Sequence, residues 1–231
     1  MFYARINKIK VFNNREGFLG IFNRRAELRI YSYVAGSGFD SPNTAPALTL
    51  SDLMDLNDEA ARRQRLLDAV VAEANRLAQS YNLEINRVKD NQSLLFGESG
   101  LVIYQNAVIP DKFDIQLWVI ESDSDIRSFA VDADKILESD AFKSLFAAVE
   151  TALVVASPVV SGAIAVGGVV VNMLRKKLLA NKDDLVGYWQ DSLNRVEHYP
   201  HGMRDRQDVY DTTGNILVDY TLFGFENALT V

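Results

Sequence analysis

The sequence predicts a mainly β fold with helical insertions, an antiparallel sandwich in the α+β class. Three observations predict it. Short segments in which apolar and polar residues alternate lie near both ends and in the middle of the 231-residue chain. One long segment repeats apolar residues at three- and four-residue steps, and a second apolar segment runs from Thr151 to Leu174 without a charge. Finally, these helical segments do not alternate one for one with strands, as a doubly wound parallel sheet requires.

The first strand is expected over Arg5 to Phe12, where Ile6, Ile9 and Val11 stand among polar neighbours with an irregular step. Asn13 to Gly17 carries turn chemistry. In the next strand, Ala26 to Val34, the residues Leu28, Ile30, Ser32 and Val34 share one face, while Glu27, Arg29, Tyr31 and Tyr33 share the other. Gly, Ser, Asn and Pro make 35–46 a loop. A helix follows over about Asp58 to Ser80, capped by Asn57, with Asp58 and Glu59 in the first turn where the helix dipole favours acid. Leu66, Leu67, Val70, Val71, Ala74, Leu77 and Ala78 form its apolar stripe. Strands return at Leu101 to Tyr104 and Phe113 to Ile120, separated by Pro110-Asp111. A helical block spans about Val131 to Leu179, and strands are expected at Gly187 to Val196 and Ile216 to Phe225. Both faces of the last strand are largely apolar. The whole is expected to form a single domain, 1–231, with helical insertions at about 57–81 and 131–181.

The uncharged segment has the length of a membrane span, and Arg175-Lys176-Lys177 beyond it would suit a cytoplasmic flank. Ser157-Pro158 reads as an N-cap followed by proline at the first helical position, which splits the segment into two short helices. Gly162, Gly167 and Gly168, with Ala and Ser around them, suit close helix packing. An apolar helical pair buried in the core is the expectation. A hairpin that inserts into a membrane, or an oligomer interface, is the alternative.

Composition narrows the function classes. Hydrophobic residues make up 48% and charged residues 24%, which is ordinary globular usage, so no cofactor is required for folding. The formal net charge of -7 opposes sequence-independent binding of nucleic acid, because phosphate neutralisation needs clustered Lys and Arg. The absence of cysteine excludes a disulfide framework, a Cys-ligated zinc site and a cysteine nucleophile. Met1 to Ile6 has no basic region followed by an apolar run, which predicts cytoplasmic residence, with non-classical export as the alternative.

Glu121-Ser122-Asp123-Ser124-Asp125 follows directly on the strand ending at Ile120, and Asp183-Asp184 precedes Gly187. Alternate carboxylates just after a strand can converge on Ca²⁺, which takes several oxygens at once. The same residues carry a family resemblance. An alternating strand with Leu117 and Val119, then Glu121 and Asp123 spaced by one, then Asp184 three residues before Gly187, resembles C2 domains. The opening strands resemble that family's early strands. The resemblance implies an eight-stranded antiparallel sandwich whose apical loops bind calcium and anionic lipid, with Glu121, Asp123, Asp125, Asp183 and Asp184 as the metal ligands. Two departures stand against calcium. Asn23-Arg24-Arg25-Ala26 occupies the early loop where the family has an acid, and Glu121 replaces the first acid of the later one.

His198 and His201, followed by Asp205, Asp208 and Asp211, contain zinc-ligand types, but Pro200 interrupts any regular helix and the spacing matches no zinc signature. A polar turn joining the last two strands, anchored by Tyr199, is the expectation. No nucleophile elbow, phosphate loop or dinucleotide fingerprint occurs. The sequence therefore predicts a non-enzymatic C2-like binding module acting through protein contact, with a protein partner or a second copy of itself, or a structural role in a larger assembly. Calcium-dependent attachment to a membrane surface is the second expectation, and membrane insertion through 151–174 the third.

Overall fold

A computed structural model describes residues 1–14, 25–36, 48, 50–56, 58–79, 82–121, 133–155, 170, 173, 185–199 and 202–225. In chain order these form β1 (Phe2–Val11), β2 (Ala26–Gly36), α1 (Leu50–Met54), α2 (Glu59–Gln79), β3 (Leu83–Val88), β4 (Gln92–Leu95), β5 (Leu101–Asn106), β6 (Lys112–Glu121), α3 (Ala133–Glu138), α4 (Asp140–Val155), β7 (Leu185–Asn194), β8 (Gly202–Tyr210) and β9 (Ile216–Gly224). The chain divides into two compact units. A β unit comprises 1–41, 81–124 and 181–231, and a helical unit comprises 42–80 and 125–180. The fold is thus a β-rich α+β one.

In the β unit every strand pair is antiparallel. In one sheet β1 lies beside β9, with β8 outside β9; on its other side β1 meets β5 through its first half and β4 through its second. The other sheet runs β3-β2-β6-β7. The inward residues of both sheets make one core. Phe2, Ala4, Ile6 and Ile9 of β1 join Leu28 and Ile30 of β2, Phe113, Ile115, Leu117 and Val119 of β6, and Val218 and Leu222 of β9. Burial of each large apolar side chain contributes on the order of 1.5–3 kcal/mol. The irregular first strand has a physical cause. A register shift between Ile6 and Lys8 against β9 inserts one extra residue, and this bulge turns both Ile6 and Ile9 inward where strict alternation would expose one of them.

Three strands escape the alternation rule. β3, β4 and β8 are short or exposed, and β8 reads Gly-Met-Arg-Asp-Arg-Gln-Asp-Val-Tyr with charges along most of its length. An edge strand with little burial on either face has no apolar period to read. The segment after Tyr199, expected as a turn, is therefore largely this strand. Tyr199 itself is buried as expected, against Phe2 and Phe113 with ring centroids 4.8 and 5.3 Å away.

In the helical unit, Asp58 caps α2: its carboxylate accepts from Ala60 N–H at 3.0 Å and its carbonyl from Arg62 N–H at 3.0 Å. Asn57, the expected cap, lies outside the described residues. Leu66, Leu67 and Val70 are buried on the expected stripe. Arg62 grips Glu150 of α4 with two bonds of 2.7 and 3.0 Å, the fork geometry that makes guanidinium–carboxylate pairs specific. Ser139 caps α4 by accepting from Phe142 N–H. Of the uncharged segment, α4 carries residues up to Val155; beyond it only Val170 and Met173 are described, both buried. The Ser157-Pro158 step lies outside the described residues. Among the described residues no helix is long and apolar enough to cross a membrane.

Candidate functional site

Four connections start and finish at one end of the β unit. The register sets the end of β1 beside the starts of β4 and β9, the start of β2 beside the ends of β3 and β6, and the start of β7 beside the end of β6. The β1–β2, β3–β4, β6–β7 and β8–β9 connections therefore all begin and finish here.

The described residues at this end are polar and tied to one another. Asn14 is 1% exposed; its amide donates to Val88 O at 2.9 Å and its backbone N–H to Asp90 at 2.9 Å. Asn215 is buried too, and its Nδ2 donates to Asn13 O at 2.7 Å and Val186 O at 2.6 Å. Asp211 opens the β8–β9 turn and accepts at both oxygens. Tyr188 N–H, Thr213 N–H and the Thr213 hydroxyl donate to Oδ2, while Asn215 N–H and Ile216 N–H donate to Oδ1. Thr212 completes the link by donating its N–H and hydroxyl to Tyr188 O at 2.9 and 2.8 Å. At Val186 and Tyr188 the outer edge of β7 is thereby satisfied by a turn of the opposite sheet, which shortens the edge open to pairing with another chain. Gly187 allows the approach: a Cβ there would stand 2.6 Å from Ile216 Cδ1. This network holds loops together. Asp211, with five bonds accepted, has its lone pairs committed to the fold.

Of the expected calcium ligands, Glu121 is the last residue of β6, half-buried, opposite Leu28. Asp123, Asp125, Asp183 and Asp184 lie outside the described residues. In the chain they fall between the end of β6 at Glu121 and the start of β7 at Leu185. Among the described residues no group of three or more His, Asp and Glu side chains is placed to hold a metal ion.

The other described residues of zinc-ligand type noted in the sequence lie in the turn after β7, along β8 and just beyond it. His198 closes the turn after β7, and His201 lies outside the described residues. Asp205 accepts from the Thr221 hydroxyl, Asp208 pairs with Lys8 at 3.3 Å, and Asp211 has the structural task just described. Each acid has its own neighbours.

A different surface gathers residues that the sequence did not single out as a site. On the outward face of the first sheet, Tyr3 of β1, Phe223 of β9 and Met203 of β8 stand abreast in register. Tyr3 and Phe223 stack with centroids 4.6 Å apart at 15°, and Phe225 lies 4.6 Å from Phe223. Met203 is 58% exposed, and Met1 and Phe225 are 43% and 40% exposed. Farther along the same face come Arg5, then Asn7 donating to Thr221, then Lys8 between Asp208 and Asp219. At the far end Lys10 lies over the Phe12 ring, which stacks on Tyr210, itself 65% exposed. Two aromatic patches thus flank a polar middle.

Comparison with models of known families, with curated proteins and with solved structures finds no match to this chain.

Proposed function

We propose that the chain is a non-enzymatic C2-like binding module that works by protein contact, through the outward face of the β1-β9-β8 sheet. The observation that carries this reading is the outward row of Met1, Tyr3, Met203, Phe223 and Phe225, in which Tyr3 and Phe223 are half-buried and the other three exposed. Aromatic residues, Met and Arg are the types enriched where proteins meet, and rings held in place by stacking lose little conformational entropy on docking. The polar middle of the face would supply the rim. The C2-like part of the reading is supported by the arrangement of strands. β4 and β5 run one after the other along β1 as a single interrupted strand, so the β unit counts as two four-stranded antiparallel sheets, with the acid-bearing connection at the loop end.

The test is site-specific photo-crosslinking in the cells that make the protein, with the photoreactive residue at position 203 of the full chain. Protein contact predicts a discrete adduct that is lost when Phe223 is also changed to Ser. An adduct near twice the 25.8 kDa chain mass identifies a second copy. Background labelling alone, unaltered by Phe223→Ser, counts against this face.

Calcium-dependent attachment to a membrane surface through Glu121, Asp123, Asp125, Asp183 and Asp184 is the second reading. It is favoured by the acid-bearing chain starting and finishing among loops that are firmly tied together. It predicts binding to vesicles containing anionic lipid that a chelator abolishes.

A further inference from the structure

The turn after β7 closes on a histidine in a way that depends on that histidine's charge. Asn194 N–H donates to His198 Nδ1 at 3.0 Å, and His198 N–H donates to Asn194 O at 3.0 Å. The Asn194 side chain adds two bonds, its Oδ1 accepting from Glu197 N–H at 2.8 Å and its Nδ2 donating to Glu197 Oε2 at 2.9 Å. Of these four, only the bond to Nδ1 requires a lone pair on the ring. A neutral imidazole with its proton on Nε2 supplies that lone pair; an imidazolium carries N–H at both nitrogens and supplies none. Protonation turns an acceptor into a donor facing a donor.

We propose that His198 is a pH-sensitive clasp on the β7–β8 connection, closed when the ring is neutral and released when it is protonated. Among the described residues, the charged groups around the turn are Arg195 and Glu197 within it, Asp111 and Lys112 where β6 begins, and Arg204 on β8. Arg195 N–H donates to Asp111 O at 2.9 Å, Lys112 pairs with Asn194 across β6–β7, and Arg204 donates to Glu197 O at 3.4 Å. None of these bonds uses the ring, so they persist on acidification and confine the change to the clasp. Tyr199, next in the chain, stays anchored among Phe2 and Phe113. The released piece is the backbone at Asn194, where β7 ends and the connection to β8 begins. The clasp stands whatever the neighbouring face binds.

The experiment uses the full chain, labelled with ¹⁵N, moved from about pH 8 to about pH 5, the range in which imidazole changes charge. At the upper pH, long-range ring correlations are expected to show His198 Nδ1 without a proton and Nε2 with one. After the intrinsic pH dependence of exchange is removed, Asn194 N–H is expected to lose protection by about tenfold at the lower pH, the factor that one hydrogen bond carries. The N–H of Arg195, held by a carbonyl, serves as the reference and is expected not to change. A proton on Nδ1 at the upper pH overturns the proposal, as does protection at Asn194 that follows the reference across the range. His198→Ala is expected to leave the Asn194 N–H weakly protected at both pH values; should that variant fail to fold, the measurements on the unaltered chain decide alone.

Discussion

Replacing Asp211 by Ala removes the acceptor on which the loop end of the β unit is built. The carboxylate takes five hydrogen bonds, and three of the donors, Tyr188 N–H, Asn215 N–H and Ile216 N–H, are buried. Each buried N–H left without a partner costs about 1–3 kcal/mol. Relaxation of the short turn and entry of water reduce the sum, so the expected loss is about 3–5 kcal/mol, at the top of the range for single substitutions. Asp211→Asn keeps one acceptor oxygen and sets an NH₂ against the remaining donors, for an expected loss of about 2–3 kcal/mol. The assay is urea unfolding followed by tryptophan fluorescence. Both tryptophans of the chain, Trp118 and Trp189, are buried in β6 and β7, so the signal reports the β unit. The midpoint should fall while the slope with denaturant stays the same. A loss below about 1 kcal/mol for Asp211→Ala would show that water satisfies those N–H groups and would refute the reasoning.

Gly187→Ala places a methyl group 2.6 to 2.7 Å from three side-chain carbons of the fully buried Ile216. Overpacking of this kind is expected to destabilise the β unit by about 1–3 kcal/mol in the same assay, and an unchanged midpoint would contradict the close approach. The tyrosines give a pH prediction. Burial is the main cause that holds the Tyr199 and Tyr220 hydroxyls well above the ordinary phenol range; the nearby carboxylates of Asp111 and Asp191 add to it. The neutral phenol is the form the fold prefers, so this stabilisation is complete below about pH 10, the unfolded value, and is lost as pH rises through the folded values. Absorbance titration should show Tyr199 and Tyr220 ionising well above the ordinary phenol range, only as the β unit unfolds. All nine tyrosines ionising together near pH 10 with fluorescence unchanged would contradict this burial.

Alternation made β2 and β6 legible, because Leu28 and Ile30, and Leu117 and Val119, face one core; β9 was legible as a run of apolar and aromatic residues, because it is buried along most of its length. The α2 stripe was legible for the same reason at a helical period. β8 was not, because its alternate residues are charged on both faces and its order comes from pairing with β9. The loop-end network was hidden for another reason. Asn14, Asp90 and the turn carrying Asp211 and Asn215 are distant from one another in sequence, and nothing in the type of a single Asp distinguishes a carboxylate that binds five donors from one that meets solvent. The Asp-Thr-Thr-Gly-Asn run of the β8–β9 turn was a signal available in the sequence: Asp and Asn beside Gly favour turns that fold side chains back onto the backbone. The Tyr3–Phe223–Met203 row required knowledge that β1, β9 and β8 are neighbours in that register.

The central claim is that this module works through its sheet face and not through a cation held at its loop end. Calorimetric titration of the metal-free full chain with Ca²⁺ at moderate salt tests it most directly. Asp90 and Asp211 are already engaged by backbone N–H groups, and Arg24 and Arg25 stand in the early loop, so the account predicts no saturable heat. Saturable binding that disappears in Asp123→Asn would contradict it and would put calcium-dependent membrane attachment first.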